Sequence, residues 1–167
     1  LGMLGAEVIK IESRARLDHS RVHSLTAGSL KGGIDDSPVF NDLNLGKRSV
    51  TLNLRSEGGR DLVKQLVSKS DVVLQNMRPG VLDKLGLGYE DLRKVKQDII
   101  MLSSSAVGAE GPEGRYAGYA PTFACLSGMT SISGYPDEPP TALSGSVDLR
   151  VGTASTFAVL AALTQRK

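Results

Sequence analysis

Residues 46–90 read GKRSVTLNLRSEGGRDLVKQLVSKSDVVLQNMRPGVLDKLGLGYE, and this stretch decides the fold. Apolar and polar residues alternate over 49–54, which is the period of a half-buried strand. Residues 56–67 begin with Ser56, a favoured helix cap, and then place apolar residues at helical spacing. Residues 71–74, in which a continuous apolar run follows Asp71, predict a second strand. Strand, helix and strand in this order indicate parallel pairing.

Predicted strands and helices also alternate before and after this stretch. Residues 8–11 and 99–102 are β-rich runs, and short helices are predicted around 81–85 and 89–95. The pattern therefore predicts an α/β protein with a Rossmann-like, mostly parallel sheet and flanking helices.

Outside this pattern the periodicity is weaker. Residues 19–44 show little periodicity and are interpreted as a long loop, which in a compact domain is usually functional or disordered. A helix is expected around 121–132, a Pro-rich turn at 135–140, and a final small-residue helix from Asp148.

The apolar strand at 71–74 runs, one residue later, into Asn76, Met77, Arg78, Pro79 and Gly80. This places polar backbone and a cation at the carboxyl end of a strand, where open α/β sheets bind ligands. The placement predicts a site for a phosphorylated, partly apolar small molecule.

Composition narrows the function further. The 167 residues include 20 Lys and Arg against 18 Asp and Glu, with no long block of one sign, so neither nucleic acid nor a membrane is an expected partner. The single cysteine, Cys125, cannot form an internal disulfide and lies among apolar residues at helical spacing, where we expect it to be buried. No run of 18 apolar residues and no secretory signal is found, so a cytoplasmic location is expected.

Five segments carry a resemblance to a known family. In chain order they are GAEVIKIE (5–12), NLGKRSVTLNL (44–54), QNMRPGVLDKLGLGYEDL (75–92), SSSAVGAEGP before GYAP (103–121) and SGSVDLRVG (144–152). Together they resemble the family III CoA transferases, a group that includes formyl-CoA transferase, carnitine CoA-transferase and α-methylacyl-CoA racemase. The resemblance implies an interlocked-dimer fold. It also implies that residues 1–167 are part of the large, CoA-binding domain of a longer protein, without its first strand and its C-terminal portion.

Asp148 is the candidate catalytic residue. On pattern alone it is a helix cap, because Asp is favoured there and the amide dipoles of a helix N-terminus stabilise negative charge. The resemblance changes this interpretation, since the family's catalytic aspartate lies in an Asp-x-x-x-Gly context that Asp148 and Gly152 match. It implies that the carboxylate attacks a donor thioester and then carries CoA as an aspartyl thioester.

The resemblance also implies a set of CoA-binding residues. Asn76 and Met77 match a CoA-contacting pair, with an amide for pantetheine and a polarisable side chain for its apolar arm. Arg78 and Lys84 are candidates for the CoA phosphates, although a solvated surface cation is an equal interpretation of Lys84. Leu52 falls where the family contacts the adenine end through its main chain.

Tyr119 separates the branches of the family. The racemase branch places a His there as a second acid/base group, and this chain reads GYAP. Ala120 stands where the transferases often carry an acidic residue. Tyr119 thus removes the second base from the racemase interpretation. Two alternatives to the transferase stay open: an acyl-CoA racemase or isomerase with Asp148 as base, and a catalytically silent CoA-binding or interface module, which Ala120 favours. The implied partners are acyl-CoA and a carboxylic acid as substrates and a second copy in a homodimer. Neither a metal nor a tightly bound cofactor is expected.

Overall fold

The computed structural model describes residues 1–26, 33–114, 116–141 and 146–166. The chain divides into two compact units, Leu1–Gly59 and Arg60–Lys167, and each contains one pair of parallel strands.

The first unit is built around a parallel pair of strands. Its elements are a 3-10 helix Gly2–Leu4, β1 Val8–Glu12, α1 His19–Thr26, α2 Pro38–Leu43 and β2 Lys47–Thr51. Val8 lies opposite Lys47 and Glu12 opposite Thr51. The Leu52 N–H donates to the Glu12 carbonyl oxygen at 3.0 Å, which extends the pairing one residue past β2.

The interpretation of residues 19–44 as one long loop is wrong for α1 and α2. The Ser37 hydroxyl oxygen accepts a hydrogen bond from the Phe40 N–H, and Pro38 occupies the first helical turn. These are local helix-start signals. A helix of six residues holds too few apolar positions to show periodicity. The segment 27–32 lies outside the described residues.

The second unit contains the other strand pair and most of the helices. Its elements are β3 Val72–Gln75, α4 Val81–Lys84, α5 Tyr89–Val95, β4 Ile100–Ser103, α6 Ala120–Leu126, a 3-10 helix Met129–Ile132 and α7 Ser146–Arg166. Helix α3, Glu57–Ser68, leads into it from the first unit. β3 and β4 are parallel, with Val72 opposite Ile100 and Gln75 opposite Ser103.

Buried apolar side chains form a core in the second unit. Those in helices α3, α4, α5 and α7 are Val63, Val67, Leu82, Leu92 and Val159. Leu87 and Ile99, which are also buried, lie in the segments that follow α4 and α5. The predicted cap of α3 is confirmed, because the Ser56 hydroxyl oxygen accepts from the Gly59 N–H at 3.1 Å. Gly59 is required at this turn, since a Cβ there would lie 2.0 Å from the Asn53 carbonyl oxygen.

The predicted mixed α/β class with parallel strands is confirmed. Helix α5 has the predicted limits, and β3 and β4 each lie one residue later than predicted. β2 is displaced to Lys47–Thr51 from the predicted 49–54. A single Rossmann-like sheet stays a prediction, since the strands of the described residues lie in two pairs.

The expectation that Cys125 is buried is wrong. Cys125 is exposed on α6, and its thiol lies 3.7 Å from the Thr130 hydroxyl oxygen. Its neighbour Ala124 is the buried residue of this helix. In a helix of seven residues, adjacent positions point in directions about 100° apart, so periodicity alone did not fix which one faces inward.

Helix α7 is the longest element, at 21 residues. It is the one helix of the described residues whose length and apolar composition would allow it to cross a membrane. Only 6% of its apolar 18-residue segment is buried inside the protein. Length and composition do not distinguish a membrane-spanning helix from one that packs against protein. The absence of a membrane partner therefore stays a prediction.

Candidate functional site

A cavity of about 520 Å³ opens at the carboxyl ends of β3 and β4 in the second unit. Three groups of residues form it: the turn after β3 with the start of α4 and α5, the segment after β4, and one face of α7. The lining residues are Gln75, Met77, Arg78, Pro79, Gly80, Leu82, Asp83, Gly88, Tyr89, Met101, Leu102, Ser103, Ser104, Ser105, Gly108, Ala109, Ala154, Ser155 and Ala158.

The turn after β3 presents Met77 and Arg78 to the cavity. The Met77 N–H donates to the Gln75 side-chain oxygen at 2.6 Å, which fixes the chain as it leaves the strand. Gly80 has a φ of 78°, a left-handed conformation that favours glycine, and it starts α4. The Arg78 guanidinium has no carboxylate partner among the described residues. It is therefore available to an anionic ligand.

The segment after β4 supplies hydroxyl groups. The Ser104 N–H donates to the Gln75 carbonyl oxygen at 2.8 Å, so the strand pairing continues past Ser103 before the chain turns away. Ser103, Ser104 and Ser105 all line the cavity. Each hydroxyl can donate one hydrogen bond and accept two. This wall suits the polar groups of a ligand.

The remaining lining is mostly apolar and small. Leu82, Met101 and Leu102 contribute apolar surface, and α7 contributes Ala154, Ser155 and Ala158. Small side chains allow the α7 backbone to lie close to whatever fills the cavity. An apolar lining with a few hydroxyl and charged groups, here Arg78 and Asp83, is typical of a pocket for a small molecule, and Arg78 can pair with its anionic groups.

The structure brings together two of the predicted CoA-binding residues. Met77 and Arg78 line the cavity, whereas Asn76 and Lys84 are exposed beside it and outside the lining. Tyr119 precedes α6, is 76% exposed and does not line the cavity. Leu52 is half-buried in the first unit, where its main chain pairs with Glu12.

Asp148 is exposed and lies in the first turn of α7, outside the cavity lining. Because α7 begins at Ser146, Asp148 is the third residue of the helix and does not occupy the cap position. Seven residues separate Asp148 from Ser155, so the two side chains share one face of the helix about 10 Å apart along its axis. The segment 142–145 that precedes the helix lies outside the described residues.

Sequence reasoning missed several lining residues. Gln75 and Ser103 end their strands, and the rule that ligands bind at the carboxyl ends of parallel strands could have identified them. Ala154, Ser155 and Ala158 could not be identified in this way. Their position depends on how α7 packs against β4, which no local pattern records.

The first unit contains a second polar cluster, around Arg21. Its guanidinium donates to both Glu12 carboxylate oxygens at 2.8 and 2.9 Å and to Asp35 at 2.8 Å, and it lies 3.5 Å from the Phe40 ring centre. The hydrogen bond from Arg21 lowers the pKa of Glu12. The bidentate geometry and the ring contact indicate that this arginine joins α1 to β1 and α2.

Asp18 is the most strongly perturbed acid in this cluster. Burial raises its pKa, but hydrogen bonds from the Lys10 ammonium and from Ser20 outweigh burial and lower the pKa to about 2. The Lys10 Nζ lies 2.7 Å from the Asp18 carboxylate. Asp18 is therefore an ionised partner that joins β1 to the start of α1.

Metal ligation has no support in the part of the chain that the structure describes. Within those ranges no three His, Cys, Asp or Glu side chains come together as a possible metal site.

The second unit thus has the cavity of an α/β ligand-binding protein, placed at the carboxyl ends of parallel strands and formed by residues of two strand-to-turn segments and one helix. The model of CoA-transferase family III matches residues 1–167. The chain belongs to CoA-transferase family III.

Curated relatives and solved structures agree with this assignment. An acetyl-CoA:oxalate CoA-transferase of Acetobacter aceti is 40% identical over 143 residues, which is 86% of this chain and 35% of the relative. A succinyl-CoA:glutarate CoA-transferase of Mus musculus is 35% identical, over 99% of this chain and 37% of the relative. The crystal structure of a CAIB/BAIF family protein from Brucella suis matches with a TM-score of 0.86 at 35% identity, over 98% of this chain and 43% of that one. The chain therefore spans between a third and two fifths of the length of these curated relatives.

Proposed function

We propose that this chain is the N-terminal-side part of the large domain of a CoA transferase, a longer protein that moves CoA from an acyl-CoA donor to a carboxylic acid. Membership of the family supports the reaction class. The cavity beside β3 and β4, with Met77 and Arg78 in its lining, supports a site for a partly apolar, anionic ligand such as an acyl-CoA.

In this proposal Asp148 is the nucleophile. Its carboxylate attacks the thioester carbonyl of the donor to give a mixed anhydride and CoA thiolate. The thiolate attacks the aspartyl carbonyl of this anhydride, which releases the donor acid as a carboxylate and leaves an aspartyl-CoA thioester. The acceptor carboxylate then attacks this thioester to give a second anhydride and CoA thiolate. The thiolate attacks the acceptor carbonyl, so CoA ends on the acceptor and the Asp148 carboxylate is regenerated. Exposure of Asp148 in the first turn of α7 supports the role, because a nucleophile must be accessible to its substrate.

The proposed CoA-binding residues are Leu52, Asn76, Met77, Arg78, Lys84 and Tyr119. The complete enzyme is proposed to be a cytoplasmic, interlocked homodimer that needs no tightly bound cofactor. Relatives named for CoA transfer to oxalate and to glutarate support a carboxylic acid as the acceptor.

The test is to trap the aspartyl-CoA thioester in the full-length protein. The protein is incubated with an acyl-CoA, treated with hydroxylamine or borohydride, digested and measured by mass spectrometry. We expect the modification on the peptide that contains Asp148. Asp148→Asn should lose it and lose turnover by several orders of magnitude, since an amide cannot form the anhydride.

Asp137→Asn is the matched control, because Asp137 is an exposed aspartate in the Pro-rich turn, outside the cavity lining. It should keep both modification and turnover. Label at another residue, or near-normal turnover of the Asp148→Asn variant, would refute the mechanism. Exchange of the acyl α-hydrogen without CoA transfer would show that the protein is a racemase. Binding of CoA with neither reaction would show that it is a catalytically silent module.

A further inference from the structure

Two opposite charges, Arg78 and Asp83, line the cavity of the second unit. Arg78 lies in the turn after β3, and Asp83 lies in α4. They form no ion pair with each other or with any other side chain of the described residues. A guanidinium and a carboxylate pair strongly when the geometry allows it. The fold therefore holds these two charges apart within one cavity.

The turn between α4 and α5 fixes the backbone at Asp83. Its neighbours Leu82 and Leu87 are buried, and the Leu87 N–H donates to the Leu82 carbonyl oxygen at 2.9 Å. The Gly86 N–H donates to the carbonyl oxygen of Asp83 itself at 3.0 Å. Because the turn is closed by these bonds and anchored by two buried leucines, Asp83 cannot swing toward Arg78 without disrupting it.

Gly88 leaves room for the Asp83 carboxylate. A Cβ at residue 88 would overlap Oδ1 of Asp83 and lie 3.0 Å from its Cγ. Gly88 has a φ of −67°, which any residue can adopt, so the backbone conformation does not require glycine there. Gly88 also lines the cavity. The small residue at this position therefore seats the carboxylate at the cavity, against the start of α5.

The Asp83 carboxylate does not cap α5 in the described part of the chain. Gly88 occupies the cap position without a side-chain hydrogen bond. The N–H groups of Asp91 and Leu92 donate to the Gly88 carbonyl oxygen instead. Within the described ranges no hydrogen bond to the Asp83 side chain is present. The carboxylate is thus held in place by the turn but is not used by it.

We infer that Asp83 is a specificity residue of this cavity. Its carboxylate accepts a hydrogen bond from an N–H or O–H group of a ligand whose anionic group binds Arg78. An ionised carboxylate accepts hydrogen bonds and donates none, and it repels an anion placed beside it. The two charges together select a ligand that carries an anionic group and a separate hydrogen-bond donor, and they disfavour a ligand that is anionic at both places.

The identity of this ligand as an acyl-CoA rests on the proposed function. The phosphopantetheine part of CoA carries both kinds of group, because a phosphate is followed along one chain by a hydroxyl and two amide N–H groups. The cavity volume of about 520 Å³ falls within the range of small-molecule sites. The residues themselves require only the combination of an anion and a donor.

The test compares two probes in the full-length protein by ligand-observed NMR titration at mildly alkaline pH. Phosphopantetheine carries the phosphate and the donors, whereas fully ionised propyl phosphate carries the phosphate and a short apolar arm but no donor. Asp83→Ala should weaken binding of phosphopantetheine about tenfold, because a hydrogen bond to a charged group is lost. The same substitution should leave binding of propyl phosphate unchanged or tighten it, since a repelling charge is removed.

Further variants separate ligand binding from an effect on the fold. Gly88→Ala keeps the charge but displaces the carboxylate, so it should also weaken binding of phosphopantetheine, with no further loss when it is added to Asp83→Ala. Asp83→Asn keeps the size of the side chain and should act in the same direction with a smaller loss, because its carbonyl oxygen still accepts. Glu90→Gln is the matched control, since Glu90 is exposed in the first turn of α5 outside the cavity lining. It should bind both probes as the natural protein does.

Three results would overturn the inference: equal effects of Asp83→Ala on the two probes, tighter binding of phosphopantetheine by that variant, and no binding of phosphopantetheine by the natural protein. A protein that transfers CoA with an unchanged KM for acyl-CoA in the Asp83→Ala variant would overturn the inference and leave the proposed function intact. Asp83-dependent binding of phosphopantetheine by a protein that transfers no CoA would support the inference while refuting the proposed function.

Discussion

Arg78 illustrates how a single residue can connect sequence to site. Its place after an apolar strand predicts a cation at the carboxyl end of a sheet, and the structure puts it in the lining of the cavity. An arginine without a carboxylate partner in the described part of the chain gains more from an anionic ligand than one already paired.

Arg78→Ala is expected to weaken binding of CoA to the full-length protein by about 1–3 kcal/mol, the range for a charge-assisted hydrogen bond. Isothermal titration calorimetry measures the change. Arg93→Ala is the control, because Arg93 is exposed on α5 outside the cavity lining, and its affinity should stay unchanged. Unchanged affinity in the Arg78→Ala variant would remove this residue from the site.

At this scale the sequence predicted the turn after β3 but not all of its neighbours. Met77 and Arg78 follow an apolar strand, and a residue that follows a strand is fixed in space by that strand. Tyr119 and Asp148 precede helices or lie in their first turn, and their distance from the cavity depends on helix packing. Residue type and spacing do not encode that distance.

Ser37 is the residue on which α2 depends most. It is fully buried, accepts from the Phe40 N–H at 3.3 Å and donates to the Ser20 carbonyl oxygen at 2.6 Å. Ser37→Ala removes the cap and the donor to the partly buried Ser20 carbonyl oxygen, so we expect a loss of about 1–3 kcal/mol in the free energy of unfolding.

Urea denaturation of the full-length protein measures this loss. Ser68→Ala is the matched control, since Ser68 is exposed and donates only to the Gln65 carbonyl oxygen of its own helix. Its effect should lie within about 0.5 kcal/mol. A Ser37→Ala variant as stable as the Ser68→Ala variant would show that the cap is dispensable.

Asp18 gives the connection between β1 and α1 a defined pH dependence. Its pKa is about 2 in the folded chain against 3.8 ordinarily. A carboxyl group whose pKa is lowered by folding stabilises the fold above its unfolded value, and the contribution is lost as the pH falls through the folded value.

The difference in stability between the natural protein and Asp18→Asn should therefore shrink as the pH falls from about 4 to about 2. Thermal denaturation at a series of pH values in this range measures it. The Asn side chain can still accept from Ser20, so the variant isolates the charge. A difference that stays constant over the range would show that Asp18 is not ionised in this ion pair.

Among the elements, periodicity predicted the existence of helix α3 and of strand β2 better than their details. In α3 the spacing places Val63 and Val67 in the core, but Leu62 of the same pattern is exposed. The alternation over 49–54 predicted a strand that lies at Lys47–Thr51. Helices α1 and α2 were missed because they are too short to show periodicity. Ser37 followed by Pro38 is a local start signal for α2 that the sequence analysis did not use. Arg21 joins α1 to Glu12 and Asp35, partners that are distant in the sequence.

At the scale of the whole molecule, the α/β class and the family were both predictable from the sequence, because the order of five segments is preserved along the chain. The arrangement of strands into one sheet or two was not predictable. Strand pairing across long connections depends on tertiary packing, which periodicity does not report.

Helix α7 carries several exposed apolar side chains, which bear on the behaviour of this chain in isolation. Leu149, Phe157 and Leu160 on it are 70%, 75% and 47% exposed. Its far end is anchored, because Arg166 donates to the Asp71 carboxylate at 2.6 Å. A helix fixed at one end with apolar residues facing water is a surface on which proteins associate.

The 167-residue chain expressed alone is therefore expected to self-associate, to bind the dye ANS, and to transfer no CoA. Size-exclusion chromatography with light scattering over a range of concentrations measures the association. Phe157→Glu places a charge on α7 and should shift the chain toward monomer. Tyr135→Glu is the control, since Tyr135 is 76% exposed but lies outside α7, and it should leave the association unchanged. A chain that stays monomeric at all concentrations and binds no ANS would show that the exposed apolar side chains of α7 do not drive association. Equal effects of the two substitutions would show that the added charge, and not its place on α7, controls association.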